Sequence, residues 1–512
     1  MADTTPAKTP PPAGQAAAPA PPERLDRTII VLGLVIVSGN IMAILDTTIV
    51  NVALERLGQD LDSGLATIQW VITGYLLALG SVIPLTGWAI DRFGTRRVWM
   101  TSILLFVAGS VLCGVAWNIG SLIAFRVVQG LGGGMLMPAG MSILMMAAGP
   151  HRMGRVMSIV GVPMLLGPVL GPVLGGWLVE VNWRWIFFVN LPVGILALTL
   201  AWWKVPDERG ADGASALDLR GLLLLPPGFA LLIYGLSTAG GEGGFGKPST
   251  IAWLVAGAVF MVLFVLHSLD RREKALIDVR LFADRTFAAA AVAVFFVGIS
   301  LLGALLLLPL YFQVARGEEA LATGLLLVPQ GLGAACAMPI AGLVTDKFGA
   351  GRIVPAGIVL LVVGTIPFTM LDAGTSYWWL GAALFVRGLG LGCTMMPTMS
   401  AALTTLTKSA VPRATSSLNI ILQLGGSFGA ALLAVVLSNQ LRSNLQVAAP
   451  GGGGEGRIGE IPDEIRERFG PMLAESFSHT FWVALGLTAV LIVPALLLPR
   501  KGTGGGGPPP MA

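Results

Sequence analysis

Charge is what this sequence has least of. Only 12% of its 512 residues are Asp, Glu, Lys or Arg, against about 25% in a soluble domain, so the chain cannot coat a water-facing surface of its size. Cysteine and histidine are almost as scarce, at three each. Cys113, Cys336 and Cys393 fall singly inside apolar runs, where a thiol is expected to be buried as a small hydrophobe. They give neither a metal-binding spacing nor a disulfide framework. These shortages exclude a soluble enzyme, a disulfide-knit secreted scaffold and a disordered protein. What is present is apolar: 54% of residues are hydrophobic, mean hydropathy is +0.80, and runs longer than about 18 apolar residues recur, as membrane spans do.

Fourteen such runs are expected to span, the first at 28–53, the fifth at 156–179, the ninth starting at 286 and the last at 479–499. Residues 1–27 and 500–512 are expected to be disordered tails, and the N-terminal one lacks the pattern of a cleaved signal peptide. With the N-terminus inside, 22 of the 32 Lys and Arg residues fall in inner tails and loops and eight in outer loops. The positive-inside rule therefore predicts a multi-pass cell-membrane protein with both termini cytoplasmic. This asymmetry also explains the net charge of +4, and no basic, aromatic-interleaved soluble region exists to bind nucleic acid.

The chain repeats itself. Asp91-Arg92-Phe93-Gly94 follows the second span and Asp346-Lys347-Phe348-Gly349 the tenth, 255 residues on. Gln129-Gly130-Leu131-Gly132 in the fourth span resembles Arg387-Gly388-Leu389-Gly390 in the twelfth, 258 residues on, and the first and ninth spans start 258 apart. The expected fold is an all-α polytopic membrane protein of two six-helix halves, residues 28–204 and 286–499. A two-span segment, 205–285, is inserted between them. Halves of this kind with a site between them are a transporter architecture. The longest outer loop, 440–478, contains a short amphipathic helix at Ile461–Phe469, suited to capping the outer mouth or to lying on the membrane.

Asp46 is the one acid well inside an expected span. An acid there costs about 2.5–3.5 kcal/mol on insertion scales and faces a cavity or a partner. Arg126 is the natural partner: Asp46 lies about seven residues, ~10 Å, from the outer end of span 1, and Arg126 about five residues, ~8 Å, from the outer start of span 4. A proton on Asp46 would release Arg126, and its loss would restore the pair. A structural ion pair that never titrates is the alternative.

Five motifs in order resemble the major facilitator superfamily and, within it, the fourteen-span drug:proton antiporter family. They are Leu45-Asp46-Thr47-Thr48-Ile49-Val50-Asn51-Val52-Ala53, Gln69-Trp70-Val71-Ile72-Thr73-Gly74-Tyr75-Leu76, the loop from Gly87 to Arg97, Arg126-Val127-Val128-Gln129-Gly130, and the span-5 run from Gly167 to Gly176. The resemblance covers roughly residues 28–440. It implies a proton-coupled exporter of amphipathic drugs, antibiotics or related small organic molecules, with no enzymatic activity. It implies gating by the loop bearing Asp91, Arg92, Gly94, Arg96 and Arg97, and the second copy of that loop has lost one of the three bases, with Gly351 at the place of Arg96. Gly167, Pro168, Gly171, Pro172, Gly175 and Gly176 would be the motif that separates antiporters from symporters. Small residues at four-residue spacing equally serve close helix packing.

Tyr75, Gln129, Gln330, Arg387, Asn419 and Gln423 are polar side chains within spans and are candidates to line a substrate cavity, or to form interhelical hydrogen bonds. Two nucleotide-site lookalikes carry nothing: Gly241–Lys247 begins like a phosphate loop but is followed by Pro248 where Ser or Thr would be needed, and Gly451, Gly453 and Gly456 match a dinucleotide fingerprint by spacing only, inside a glycine run. No cofactor or metal is expected. The expected partners are a small organic substrate, protons and the lipid bilayer, with the protein a monomer. An uptake symporter, or a membrane sensor that kept the fold and lost transport, are the other readings.

Overall fold

A computed structural model describes residues 27–148, 167–207, 217–239, 244–271, 275–448 and 463–500, except positions 64, 69, 168, 169, 172, 173, 373, 405, 408 and 409. The two expected disordered tails lie outside the described residues, save for their border positions Arg27 and Arg500. So does most of the expected fifth span, although 167, 170, 171 and 174–181 are helical. Among the described residues there is no β-strand. That follows from the composition, because in lipid a helix satisfies every backbone N–H and C=O within its own segment.

In chain order the helices are α1 (Arg27–Asp60), the short α2 (Leu65–Ile68), α3 (Trp70–Phe93), α4 (Thr95–Gly114) and α5 (Ile119–Ala148). Then come α6 (174–181 and the helical positions before it), α7 (Trp185–Phe188), α8 (Asn190–Lys204), α9 (Leu219–Ala239) and α10 (Pro248–Arg271). The last group is α11 (Arg285–Leu310), α12 (Ala320–Phe348), α13 (Ala350–Thr365), α14 (Tyr377–Leu403), α15 (Val411–Ala448), α16 (Asp463–Val490) and α17 (Ile492–Leu496). Thirteen helices are long and apolar enough to cross a membrane among the described residues. With 34 residues, α1 extends past the expected end of its span. At 1.5 Å per residue it is ~51 Å long, against a hydrocarbon core of about 30 Å.

The repeat is built into the packing. α3 and α4 both pack on α5 in the first half, as α12 and α13 both pack on α14 in the second. Gly109 of α4 abuts the backbone of Gln129, and Gly364 of α13 abuts that of Arg387. Gly130 faces the Tyr75 carbonyl and Gly388 the Gln330 carbonyl; Gly132 faces Phe106 and Gly390 faces Leu361. Each of these contacts in the first half thus recurs in the second at offsets of 255 and 258 residues, so the offsets read from short sequence matches describe one helix arrangement used twice. Gly94 and Gly349, with φ of 86° and 83°, make the two matching turns between α3 and α4 and between α12 and α13. A side chain is strained at such φ, and glycine is not.

The halves are not packed equally at both ends. On the face that carries Asp91, a single buried cluster joins them, from Ile36, Ile90 and Leu144 to Val294, Met399 and Leu418. On the opposite face the buried residues form two separate clusters, one around Ile49, Leu122 and Phe187 and one around Leu307, Leu384 and Phe477. The inserted helices α9 and α10 pack on each other, and α9 also lies against α3 and α15, one helix from each half.

Two expectations are corrected. The amphipathic stretch 461–469 is not a separate short helix: from Asp463 it is the start of the 28-residue α16, which runs on through the last span, while 461 and 462 lie outside the described residues. Pro471 lies inside this helix and costs it a backbone hydrogen bond without ending it. Cys336 is exposed on α12, whereas Cys113 and Cys393 are buried as expected; a lipid-facing thiol meets no packing partner but is equally apolar in its surroundings.

A Cβ at Gly109 would stand 2.7 Å from the backbone of Gln129, forcing α4 off α5. Gly109→Ala and Gly364→Ala are each expected to destabilise the protein by about 1–3 kcal/mol. Gly176→Ala, with nothing within 4 Å, should be silent. Thermal unfolding in detergent, followed by tryptophan fluorescence, compares the three.

Candidate functional site

Asp46 and Arg126 meet. Their side chains are both 0% exposed, and Arg126 Nη1 donates to Asp46 Oδ2 at 2.5 Å. The similar depth inferred from counting along α1 and α5 is therefore realised as contact. Among the described residues Asp46 is the only carboxylate-bearing residue that is fully buried.

The rest of the shell holds both partners in place. Gln129, one turn along α5 from Arg126, accepts from Arg126 Nη1 through Oε1 at 2.8 Å and donates through Nε2 to Asp46 Oδ1 at 2.8 Å. Asn190 at the start of α8 donates to Asp46 Oδ1 at 3.2 Å and to Ser110 Oγ at 3.0 Å, and Ser110 donates to the Phe187 carbonyl at 2.8 Å. Arg126 Nε donates to the Val71 carbonyl at 3.1 Å, and its guanidinium lies 4.1 Å from the centre of the Tyr75 ring. Cys113 Sγ donates to Gln129 Oε1 at 3.6 Å. Two groups of this shell, Arg126 Nη2 and the Tyr75 hydroxyl, are buried without a hydrogen-bond partner. A charge pair in low dielectric needs this number of hydrogen bonds to offset the loss of water. A proton placed on Asp46 would remove the Coulomb attraction to Arg126 while leaving the amide donors of Gln129 and Asn190 nearby.

Tyr75 and Gln129, expected as possible cavity lining, are both 0% exposed and belong to this network. Asn190, Ser110 and Cys113 were not singled out by sequence. Asn190 is the one with a readable signal, an amide inside the expected sixth span at 185–203, while a serine or cysteine within such a run carries none.

The loop expected to gate is also joined to something. Asp91 Oδ2 accepts from Arg413 Nη2, at the start of α15, at 3.0 Å, and Gly87 lies against the Arg413 backbone. This pair links the two halves on the face where the buried clusters are continuous. Next to it, Ser142 of α5 and Thr415 of α15 share a hydrogen bond at 3.2 Å. Arg96 donates to the Trp202 carbonyl and stacks 5.0 Å from the Trp202 ring centre, tying α4 to α8. Arg92 and Arg97 are exposed, in keeping with a charged anchor. Gly94 is the positive-φ turn described above.

In the span-5 motif, Gly167, Gly171 and Gly175 face Ile44, Thr48 and Ile49 of α1, whereas Gly176 faces open space; Pro168 and Pro172 lie outside the described residues. The small-residue stripe is thus a close contact with the helix that carries Asp46. Of the remaining candidates, Arg387 donates to Gln330 Oε1 at 3.0 Å and to the Ser300 carbonyl at 2.9 Å. Asn419 donates back to the Thr415 carbonyl at 2.8 Å and Gln423 is half-buried on the same helix. No group of His, Cys, Asp and Glu that could hold a metal occurs among the described residues.

Comparison with known proteins gives a consistent answer. A family model described as Major Facilitator Superfamily matches residues 36–430. The multidrug resistance protein B homolog of Mycobacterium tuberculosis is 42% identical over 496 residues, covering 94% of this chain and 92% of that protein. The multidrug transporter protein MdtP of Bacillus subtilis is 30% identical over 414 residues, 80% of this chain and 75% of that protein. Among solved structures, the human organic anion transporter MFSD10 aligns over 91% of this chain and 100% of that chain with a TM-score of 0.57 and 15% identity. The proton:xylose symporter XylE aligns over 91% of this chain and 96% of that chain, with a TM-score of 0.57 and 13% identity. These last two speak to the fold alone.

A partly exposed ion pair such as Asp91–Arg413 contributes about 1 kcal/mol, weak enough to break and reform. Arg413→Gln is therefore expected to loosen this face without unfolding the protein. In a Cys336→Ala background, maleimide labelling of Ser142→Cys should accelerate severalfold when Arg413→Gln is added. The exchanged pair Asp91→Arg with Arg413→Asp should bring the rate back.

Proposed function

The chain belongs to the Major Facilitator Superfamily, and on that premise we propose that this transporter is a proton-coupled antiporter exporting amphipathic drugs, antibiotics or related small organic molecules. The observation that carries the reading is the buried Asp46–Arg126 pair, the one place among the described residues where an acid is fully withdrawn from water. Relatives that are multidrug transporters by name support the cargo class. The glycine stripe of the span-5 motif supports export over uptake through the resemblance noted above.

The working cycle follows from the geometry. Asp46 carries the proton and Arg126 responds to its charge. With Asp46 ionised, the pair draws α1 and α5 together; protonation releases Arg126 and changes the relative energy of the two orientations of the halves. Cargo binds between the halves, residues 28–204 and 286–499, and favours one of the same two orientations. Binding and proton uptake are then linked because both bias a single equilibrium. Asp91 and Arg413 latch the face that positive-inside bias assigns to the cytoplasm, so the arrangement described here corresponds to a state closed to the cell interior. Tyr75 keeps Arg126 in position by stacking on its guanidinium, and Gln129 and Asn190 keep Asp46 hydrogen-bonded in either protonation state.

Asp46→Asn preserves shape and most hydrogen bonds while removing the titrating group. In proteoliposomes, an imposed pH gradient should drive uphill dye movement through the wild-type protein, with counterflow of protons seen by a pH-sensitive fluorophore. Asp46→Asn should abolish the gradient-driven component, and Arg126→Gln should reduce it by at least tenfold. Unchanged gradient-driven flux in Asp46→Asn would remove Asp46 from the proton pathway.

A further inference from the structure

The second half holds a distorted image of the Asp46 network. Because the halves repeat at offsets of 255 and 258 residues, Ser110 corresponds to Thr365, Gln129 to Arg387 and Asp46 to Ala304. Thr365, Arg387 and Ala304 come together as the walls of one cavity between α11, α13 and α14, with room for a water-sized group. By the same offsets Arg126 is replaced by Leu384 and Tyr75 by Gln330, and two further changes set the charge at the cavity. The neutral amide of Gln129 has become a guanidinium, and the carboxylate of Asp46 has become a methyl group.

The outcome is a cation that is 4% exposed and has only neutral acceptors. Arg387 donates to Gln330 Oε1 and to the Ser300 carbonyl, and no salt bridge to it occurs among the described residues, in contrast to Arg126. A guanidinium withdrawn from water without an anion is costly. Chains that retain one inside the membrane use it for a ligand or a pathway. The cavity walls around it also carry the hydroxyls of Ser300 and Thr488, 3.1 Å apart, with Thr488 Oγ1 donating to the Ala484 carbonyl at 2.8 Å.

We propose that the cavity at Arg387 is a binding site for a monovalent anion, either the carboxylate of an amphipathic cargo or a free anion such as chloride. The anion takes the position that Asp46 takes in the first half, held by the Arg387 guanidinium that lines the cavity. Charge-assisted hydrogen bonds of this kind are stronger than neutral ones. A site of this kind does not depend on drug export, and its test reads binding alone.

The full-length protein in a neutral detergent is titrated at constant ionic strength, replacing sodium isethionate with sodium chloride, acetate or benzoate, while unfolding is followed by tryptophan fluorescence. Saturable stabilisation raising Tm by about 2 °C or more is expected. A response to acetate and benzoate but not chloride identifies a carboxylate headgroup; a response to chloride that competes with benzoate identifies a free anion. Arg387→Met should remove the response. Ala304→Asp, which supplies a carboxylate from the protein at the image of Asp46, should raise the anion-free Tm and abolish the dependence on added anion, and it carries the test if Arg387→Met fails to fold. The absence of any anion-specific shift in the wild-type protein, or a shift of equal size in Ala304→Asp, overturns the proposal.

Discussion

One charge pair sets the terms for the first half of the molecule. Taking a carboxylate and a guanidinium out of water costs several kcal/mol per ion, and their attraction offsets this only when the remaining donors and acceptors are also met. Asp46 and Arg126 therefore recruit Gln129, Asn190, the Val71 carbonyl and the Tyr75 ring, and through them fix how α1, α3, α5 and α8 approach one another. The glycines at 109, 130 and 132 let the backbones come close enough for side chains of ordinary length to reach. Charge in the membrane and absence of side chain are thus two parts of one requirement.

That requirement explains what could be read from sequence. Apolar length located the spans, and the depth of Asp46 and Arg126 could be counted because a helix converts residue number into distance. The repeat was legible because close helix crossings demand glycine at set positions in both halves. The Asp91–Arg413 pair was not legible: it joins residues 322 apart, on helices from different halves, and an arginine at the inner start of a span is what topology alone demands. Ser110 was hidden for a different reason, and Asn190 showed only as an uncharged amide within an apolar run. Their side chains are small and neutral, and only the arrival of Asp46 from another helix makes them part of a site. The boundary of α16 was misjudged because polarity was taken for loop, when a helix can protrude from the bilayer without changing its backbone.

The two halves have diverged by opposite substitutions around one scaffold. In the first, a protein carboxylate answers the buried cation; in the second, Arg387 stands beside Ala304. A repeat with the same backbone contacts thus supports two electrostatic environments. The asymmetry lies entirely in side chains, which is why matching backbones and glycines do not disclose it.

The inserted hairpin has a position that the repeat does not explain. Because α9 rests on both α3 and α15, any rotation of one half against the other must alter its contacts with at least one of them. α10, beyond it, is buried over only 17% of its apolar window, so most of its surface is wetted by lipid tails. At 24 residues, ~36 Å, it is longer than an average hydrocarbon core and must tilt or deform the lipid around it. The thickness of the surrounding bilayer, by setting that tilt, would thereby enter the energy of any such rotation.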